Sequence, residues 1–423
     1  MAEIVAITGI AAGGAGVGRL ADGRAVFVQR TAPGDRARIN LIEQKKSFAR
    51  GVLRALEVEG AGRREAPCPH YERCGGCTLE HLEYEAQLEA KAGLVYDALT
   101  RIGKLAVQRP RVIGSPNEFR YRNRVSFTLV RIGNGVIAGF HELDKPGRVV
   151  DIGADCLLPE EPVALAWHQL RTVWGAAASK LPSGPQLRLT LRTSAEGNVA
   201  LVVEGGYSQG KPDELLEAAP LIQSIWHRPR QDSPLQLLAG SEAIVESWQD
   251  EDLDLSGSVF LQVNRSAAAL LEDYVMQIAG DVNGKQVLDA YCGVGLHARR
   301  LARAGAHVTG IELDSLAIDE ARAAKIPNTT FVCGRAEDEM PNYLPTDFAI
   351  VNPPRAGLHE AATGALNEKP AQRMVYVSCN PATLARDLNR LSAQYQVNSI
   401  QCFDLFPQTA HVETVVELAC VTS

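Results

Sequence analysis

One cysteine of the chain lies where a nucleophile would be expected. Cys379 follows a buried-strand pattern, Met374–Ser378, and precedes Asn380 and Pro381. That pair is typical of a helix N-terminus, because Asn caps the first turn and Pro fits its first position. Open α/β sheets hold reacting groups between a strand and the next helix, and the helix dipole there favours a thiolate. Cys379 is therefore a candidate nucleophile, with a buried unreactive thiol as the alternative.

Three further cysteines form a compact cluster, Cys68-x5-Cys74-Gly-Gly-Cys77. Because Cys-Gly-Gly-Cys is a poor sequence for a hydrophobic core, we expect these thiols to bind a metal centre. The best candidate for a fourth ligand is Cys156. Four thiolates suit either tetrahedral zinc or a [4Fe–4S] cluster, and the spacing favours iron–sulfur, since zinc sites more often contain two Cys-x2-Cys pairs. We expect His70 to be a polar neighbour of the site.

Residues 256–423 alternate strand and helix patterns, as in an open α/β domain. A predicted strand leads into the turn Tyr291–Gly295 (Tyr-Cys-Gly-Val-Gly) and a helix, Leu296–Arg303, and the next strand ends in Glu312. The glycines let the backbone approach a ligand, and Glu312 can accept hydrogen bonds from both hydroxyls of a ribose. Because NAD sites carry Gly-x-Gly-x-x-Gly, this turn is closer to that of S-adenosylmethionine methyltransferases.

The composition is that of an ordinary globular protein. The chain has 423 residues, of which 46% are apolar and 22% charged, so we expect two or three domains. No apolar run reaches the length of about 18 residues that a membrane span needs, and the N-terminal residues lack a signal-peptide pattern. We therefore expect a cytoplasmic protein, in which the nine cysteines are ligands, nucleophiles or core residues rather than disulfides.

The net charge of −7 hides a separation of charge along the chain. Residues 1–150 carry 23 Lys and Arg against 16 Asp and Glu, whereas residues 151–423 carry 20 against 34. The N-terminal third is therefore suited to a polyanion, with solvated surface charge as the alternative. The basic residues are concentrated in two groups, which are Arg36, Arg38, Lys45, Lys46, Arg50 and Arg54, and Arg109, Arg111, Arg120, Arg122, Arg124 and Arg131.

The patterns predict three domains. Residues 1–58 show five short alternating runs separated by turns, which predicts a small closed β-barrel. Residues 59–255 combine the cysteine cluster, a helical pattern over Leu79–Leu105 and strand patterns, so we expect a mixed α+β domain with an RNA-facing sheet. Within it, Phe119-Arg-Tyr-Arg-Asn-Arg suits contact with RNA backbone and bases, with a solvated strand edge as the alternative. Residues 256–423 form the α/β domain.

Five motifs occur in a fixed order over nearly the whole chain. They are Cys-x5-Cys-Gly-Gly-Cys, Asp-Ala-Tyr-Cys-Gly-Val-Gly, Pro-Pro-Arg-Ala-Gly, Val-Ser-Cys-Asn-Pro-Ala-Thr-Leu-Ala-Arg-Asp and Phe-Pro-Gln-Thr-x-His-Val-Glu. Together they resemble the RNA (uracil-5-)-methyltransferase family, in particular its branch with a TRAM domain and a [4Fe–4S] cluster that methylates 23S ribosomal RNA. The resemblance implies an N-terminal TRAM barrel and a C-terminal Rossmann-like class I S-adenosylmethionine methyltransferase domain.

The resemblance also implies a role for individual residues. Cys379 would add as a thiolate to C6 of a flipped-out uracil, C5 would take the methyl group from S-adenosylmethionine, and Glu413 would remove the C5 proton. The residues implied to hold the cofactor are Gln262, Tyr291, Gly293, Gly295, Glu312 and Asn352. Those implied to hold the [4Fe–4S] cluster are Cys68, Cys74, Cys77 and Cys156.

At one position the chain departs from the family pattern, which has Asp before Pro-Pro-Arg where this chain has Asn352. An amide keeps an acceptor oxygen but loses the charge and gains donors, so we expect altered contacts to the cofactor or the uracil. Cytosine-5 or amine methylation is disfavoured by Glu413 and by Cys-Asn-Pro. A cluster-bearing RNA-binding protein with a decayed catalytic domain is a further alternative.

The partner expected from these features is RNA, with 23S ribosomal RNA as the first expectation and transfer RNA as the alternative. We expect the protein to bind neither DNA nor membranes and to act as a monomer. The two expected cofactors are S-adenosylmethionine and a [4Fe–4S] cluster.

Overall fold

The computed structural model describes residues 2–242, 244–248, 251–255 and 261–421. The chain divides into two compact units. The larger unit comprises Met1–Arg64, His81–Pro116 and Ala267–Ser423, and the central unit comprises Glu65–Glu80 and Asn117–Ser266. We predicted a single central domain over residues 59–255, but residues 81–116 belong to the larger unit. The reason is that a helix within them packs its apolar side, including Val95 and Leu99, into the core of the α/β sheet.

The N-terminal strands form a closed barrel within the larger unit, as their alternating pattern predicts. The strands are β1 (Ala2–Ile10), β2 (Gly16–Arg19), β3 (Ala25–Val28), β4 (Arg36–Gln44) and β5 (Phe48–Val58), in the order β1-β2-β3-β5-β4. Inward-facing apolar residues such as Val5, Ile7, Val26 and Ile39 fill the barrel. Closure leaves no unpaired strand edge along this small sheet.

A helix and a short strand follow, α1 (Tyr84–Arg101) and β6 (Val112–Ile113). A fully buried ion pair anchors α1, because the Lys91 Nζ donates to Asp404 Oδ1 at 2.5 Å and to the carbonyl oxygen of Phe406 at 3.1 Å. The Tyr84 hydroxyl donates to the other oxygen of Asp404 at 3.1 Å. These contacts connect α1 to the segment that precedes Glu413.

The central unit contains a seven-stranded, mostly antiparallel sheet of order β13-β12-β11-β10-β7-β8-β9 and a two-stranded sheet of β14 and β15. Its elements are β7 (Arg124–Ile132), β8 (Gly135–His141), β9 (Val149–Asp151), α2 (Glu161–Val173), a 3-10 turn (Ala176–Ala178), β10 (Gln186–Thr193), β11 (Val199–Glu204), α3 (Pro212–Ala218), β12 (Ile222–Arg228), β13 (Gln236–Gly240), β14 (Ile244–Trp248) and β15 (Glu251–Leu255). Trp167 of α2 stacks on Phe127 of β7 with ring centroids 4.0 Å apart, so the helix covers the apolar face of the sheet.

The rest of the larger unit alternates helices and strands. Its elements are α4 (Arg265–Ala279), β16 (Gln286–Ala290), α5 (Leu296–Arg303), β17 (His307–Glu312), α6 (Ser315–Ala323), β18 (Thr329–Cys333), α7 (Ala336–Glu339), a 3-10 turn (Met340–Asn342), β19 (Phe348–Val351), α8 (Glu360–Glu368), β20 (Arg373–Ser378), α9 (Pro381–Leu391), β21 (Tyr395–Phe403) and β22 (Glu413–Cys420). The sheet has the order β18-β17-β16-β19-β20-β22-β21-β6. Strands β16 to β20 are parallel, and β22 runs antiparallel between β20 and β21. No helix of the described residues is long and apolar enough to cross a membrane.

Candidate active site

The carboxyl ends of four parallel strands meet at one edge of the eight-stranded sheet. The strands lie side by side in the order β17-β16-β19-β20. β17 ends at Glu312, while β16, β19 and β20 end directly before Tyr291, Asn352 and Cys379. Ligands of open α/β sheets bind outside this edge. The predicted cofactor turn and the predicted nucleophile therefore share one edge of the sheet.

Cys379 and Glu413 come together because β22 pairs with β20. Ser378 of β20 is opposite Thr414 of β22 in the antiparallel register. The next residue forward on the first strand is Cys379, and the preceding residue on the second is Glu413. A candidate nucleophile and a candidate base thus both adjoin the last residue pair of two paired strands.

Electrostatics link these two side chains to Arg355. Burial and then the charge of Glu413 raise the pKa of the Cys379 thiol, whereas the charge and a hydrogen bond of Arg355 lower it. Burial raises the pKa of Glu413 to about 8, and Arg355 opposes that shift. Arg355 thus favours the ionised form of both groups. It was absent from the predicted site residues, although its position directly after the strand-end sequence Asn-Pro-Pro was a signal for it.

The turn after β16 leaves space for a ligand. Tyr291, Gly293 and Gly295 all have positive φ values, of 65°, 55° and 77°. A Cβ added at Gly293 would meet no atom within 4 Å, whereas one at Gly295 would lie 2.7 Å from the ring of Phe331. Gly295 therefore provides close packing at the N-terminus of α5, and Gly293 borders open space. These features fit an S-adenosylmethionine site, in which backbone approaches the cofactor.

Two carboxyl groups hold this turn in place. Glu312 accepts hydrogen bonds from the backbone N–H groups of Gly293 (3.1 Å), Leu313 (2.7 Å) and Asp314 (2.9 Å). Asp289, at the end of β16, accepts one from the N–H of Ala298 at 3.1 Å. Burial raises the pKa of Asp289 to about 7. Asp289 was not among the predicted site residues, although it begins the quoted motif Asp-Ala-Tyr-Cys-Gly-Val-Gly.

Two other predicted cofactor residues lie elsewhere on the chain. Asn352 follows β19, is partly exposed, and its backbone N–H donates to the carbonyl oxygen of Ala290 at 3.3 Å. Gln262 belongs to the central unit, where its backbone carbonyl oxygen accepts a hydrogen bond from Asn123 Nδ2 at 3.0 Å. A contact of either side chain with the cofactor stays a prediction.

The four predicted cluster ligands line one pocket of the central unit. The pocket is bordered by Cys68, Cys74, Cys77 and Cys156. Burial raises the pKa of Cys68 to about 11 and that of Cys156 to about 12. His70 also borders the pocket, but its Nε2 lies 2.9 Å from Asp155 Oδ2. Across the described ranges, no three His, Cys, Asp or Glu side chains are arranged to hold a metal ion.

One residue of the segment 119–124, which is predicted to contact RNA, does not fit that prediction, and contact by the arginines stays a prediction. Tyr121 is 2% exposed and belongs to the core of the central unit, so its ring cannot stack on a base. The Arg120 guanidinium donates to the carbonyl oxygen of Cys156 at 2.8 Å. The interpretation as a solvated strand edge is likewise wrong for Tyr121, because its side chain is buried in the core of the central unit.

Comparison with known proteins gives three family matches. The tRNA (Uracil-5-)-methyltransferase model matches residues 335–421, a methyltransferase domain model matches 287–368, and the TRAM domain model matches 4–53. The first match covers the segments of Arg355, Cys379 and Glu413. The third covers most of the N-terminal barrel.

Similar proteins extend over almost the whole chain. An uncharacterised RNA methyltransferase of Halalkalibacterium halodurans is 34% identical, with 96% of this chain and 94% of the relative covered, and one of Gloeobacter violaceus is 35% identical, with 98% and 95% covered. Among solved structures, the Pyrococcus abyssi tRNA (uracil-54, C5)-methyltransferase in complex with S-adenosyl-L-homocysteine matches with a TM-score of 0.76 and 28% identity, covering 98% of this chain and all of the other.

The family resemblance is therefore confirmed, together with the class I methyltransferase fold and the TRAM domain. The cofactor turn, the strand-end thiol and the relatives all indicate the same reaction class. The chain belongs to the RNA (uracil-5-)-methyltransferase family and is an S-adenosylmethionine-dependent RNA methyltransferase.

Proposed function

We propose that the protein methylates C5 of one uridine in 23S ribosomal RNA through a covalent bond between Cys379 and C6 of the uracil. The observation that carries the chemistry of this proposal is the adjacency of a thiol, a carboxyl group and a shared guanidinium at the sheet edge that also holds the cofactor turn. The choice of 23S ribosomal RNA rests on the motif resemblance to the family branch that methylates it. Uracil C5 is too weak a nucleophile to take a methyl group unaided, so covalent activation at C6 is required.

In the first step the Cys379 thiolate forms a bond to C6, and the electrons of the C5–C6 double bond move to C5 and its neighbouring carbonyl. The Arg355 guanidinium favours the thiolate by its charge and its hydrogen bond. Because the base must leave any stacked context to reach the thiol, extrusion of the uridine precedes this step.

S-adenosylmethionine supplies the methyl group, which C5 of the adduct takes as the bond from the methyl carbon to sulfur breaks. Glu413, as a carboxylate, then removes the proton from C5. The electrons of that C–H bond restore the C5–C6 double bond and expel Cys379 as a thiolate. Release of the proton from Glu413 to solvent then returns the enzyme to its starting state. Glu413 is well placed for this role because it faces Cys379 across two paired strands.

A trapping experiment tests this mechanism. RNA carrying 5-fluorouridine has no C5 proton for Glu413 to remove, so incubation with S-adenosylmethionine should leave a complex that survives denaturing electrophoresis. Cys379→Ala should abolish it, and Cys420→Ala, at the other end of β22, should leave it unchanged. If no complex forms with any substituted RNA, or if it forms with Cys379→Ala, the proposal is wrong.

Transfer RNA is the second candidate substrate, because the solved structure with a TM-score of 0.76 is named a tRNA (uracil-54, C5)-methyltransferase. Mapping 5-methyluridine by mass spectrometry in ribosomal and transfer RNA, from cells with and without the gene, distinguishes the two. Loss at a single 23S position supports the first proposal. Loss in transfer RNA overturns the substrate and leaves the chemistry intact.

We also propose that Cys68, Cys74, Cys77 and Cys156 hold a [4Fe–4S] cluster. The four thiols, which lie within the described ranges, are not arranged around a single metal ion. The support is the chemistry of the donors, since four thiols around one pocket suit a cluster in which each iron takes one thiolate. Iron and acid-labile sulfide in protein purified without oxygen should reach about four of each per chain. Cys77→Ser should lower both. Zinc without sulfide would overturn the assignment.

A further inference from the structure

The loop that carries Arg355 is fastened to helix α9. We call residues 352–358, between β19 and α8, the arginine loop. The carbonyl oxygen of Arg355 accepts hydrogen bonds from Asn380 Nδ2 at 3.0 Å and from Thr383 Oγ1 at 3.2 Å. Asn380 also caps α9, because its Oδ1 accepts from the N–H of Ala382 at 3.1 Å. One turn of helix thus fixes both the backbone of Arg355 and the strand end that carries Cys379.

A second attachment is made by Asp387, whose side chain is fully buried. Its Oδ2 accepts hydrogen bonds from the backbone N–H of Leu358 and from the Tyr376 hydroxyl, each at 2.8 Å. Its Oδ1 accepts from Arg386 Nε at 2.9 Å. A buried carboxylate is stable only when its charge is paired and its oxygens are hydrogen-bonded. These three partners satisfy that condition, and one of them is the backbone of the arginine loop.

Arg386 extends this attachment along the loop. Its Nη2 donates to the carbonyl oxygen of Ala356 at 2.8 Å and to that of Leu358 at 3.3 Å. Gly357 lies between them with a φ of +77°, and a Cβ there would be 2.4 Å from Asp387 Oδ2 and 2.6 Å from Arg386 Nη2. The loop is therefore in direct contact with the carboxylate, and no side chain fits between them.

We propose that Asp387 is a positioning residue that, together with Arg386, holds the arginine loop so that the Arg355 guanidinium stays beside Cys379 and Glu413. The inference rests on the proposed function in that it treats Cys379 as the nucleophile. It gives a role to the Arg-Asp pair at the end of the Cys-Asn-Pro motif. Asp387 does not touch the reacting atoms but acts through Arg355.

The direction in which the pKa of the Cys379 thiol shifts in Asp387→Asn distinguishes the positioning role from a direct electrostatic effect of Asp387 on the thiol. Asp387→Asn removes a negative charge, and by direct electrostatics that change would make the Cys379 thiol ionise more readily. Release of the arginine loop would have the opposite effect, because the thiol would lose the nearby guanidinium. We therefore expect the alkylation of Cys379 to shift to higher pH in Asp387→Asn.

The experiment measures iodoacetamide alkylation of the Cys379 peptide by mass spectrometry as a function of pH, in the full-length protein. At a pH below the thiol pKa, Asp387→Asn should react about tenfold more slowly, the factor for one pKa unit, with a similar loss in kcat and an unchanged KM for S-adenosylmethionine. The control is Asp213→Asn, the same substitution at an exposed position of α3 in the central unit, which should behave as wild type.

Two further variants disturb the arginine loop without replacing Asp387. They take the place of Asp387→Asn in the experiment if that variant does not fold. Gly357→Ala inserts a methyl group against Asp387, and Thr383→Val removes one hydrogen bond to the carbonyl oxygen of Arg355. Both should shift alkylation in the same direction, with the smaller shift in Thr383→Val. Alkylation that is unchanged, or shifted to lower pH, in folded variants overturns the proposal. A shift to higher pH together with a negative fluorouridine trap in the wild type would support the positioning role and refute the covalent mechanism.

Discussion

At Cys379 and Glu413, burial favours the protonated form of both groups. The pKa of Glu413 is raised to about 8, and that of Cys379 is raised by burial and by Glu413 itself. The proposed mechanism needs both groups in their ionised forms, the thiol for attack and the carboxyl as base. Arg355 counteracts burial at both positions.

The first prediction concerns pH. Because both groups must lose a proton and both pKa values lie above their ordinary range, kcat/KM should rise with pH through about 8. Each group contributes up to about tenfold per pH unit below its pKa. Steady-state rates on one RNA substrate across this range test the prediction. Arg355→Gln should move the rise to higher pH, and a flat profile near neutral pH would contradict the assignment of these groups.

The second prediction concerns the release of Cys379. In Glu413→Gln no carboxylate is available to remove the C5 proton, so methylation turnover should fall by about 10²–10⁴-fold, the usual contribution of a general base. The methylated adduct should accumulate on ordinary RNA, without fluorouridine, and be visible on denaturing gels. The double variant Cys379→Ala/Glu413→Gln should show none. Rapid turnover without accumulation would show that another group removes the proton.

At the scale of elements, two glycines of the turn between β16 and α5 have different roles, one in packing and the other in leaving space for a ligand. Gly295 begins α5 and packs against Phe331, so its task is structural. Gly293 borders open space and donates its N–H to Glu312. Glycine is thus required at these two positions for different reasons, which are access for a ligand at Gly293 and close packing at Gly295.

Paired substitutions at this turn separate the two tasks. Gly295→Ala should lower the free energy of unfolding by about 1–3 kcal/mol, because the left-handed backbone is strained and the methyl group meets the Phe331 ring. Gly293→Ala should cost less stability but weaken S-adenosylhomocysteine binding about tenfold or more, since its methyl group enters the proposed cofactor space. Thermal unfolding and calorimetric titration measure the two effects. Equal effects of both variants on binding would contradict this division.

At the scale of the whole molecule, helix α1 belongs with the barrel and the α/β sheet in one unit, although the cysteine cluster precedes it in sequence. Its apolar side joins the core of the sheet, and its buried Lys91 pairs with Asp404. The barrel is attached to the same unit by polar contacts, among them the His81 ring to the carbonyl oxygen of Thr31 at 3.1 Å and Arg63 to Asp35 at 2.9 Å.

The buried pair gives a prediction for the stability of this unit. Lys91→Met leaves Asp404 as an uncompensated buried charge, which should cost about 3–5 kcal/mol. All four tryptophans lie in the central unit, so tryptophan fluorescence would not report on unfolding of the larger unit. Hydrogen exchange of peptides from α1 and β22 is therefore the appropriate measurement. The control is Arg101→Gln on the same helix, whose pair with Asp97 is exposed and should contribute nothing measurable. If the hydrogen exchange of these peptides in Lys91→Met equals that of the wild type, α1 is held in place by other contacts.

The sequence by itself determined the features that depend on near neighbours. The barrel strands, the helix Leu296–Arg303, the strand before Cys379 and the capping role of Asn380 all follow from alternation, turn residues and capping preferences, which act over a few residues. The motif order identified the family. None of these inferences required knowledge of which strands pair.

Only the tertiary structure decided the features that depend on long-range pairing. The insertion of β22 between β20 and β21 brings Glu413 opposite Cys379, and the packing of α1 into the sheet assigns residues 81–116 to the larger unit. The contact of Asp387 with the arginine loop and the burial of Tyr121 arise in the same way. Side chains distant in sequence are brought together by burial of apolar surface over the whole sheet, a collective free energy that no local pattern contains.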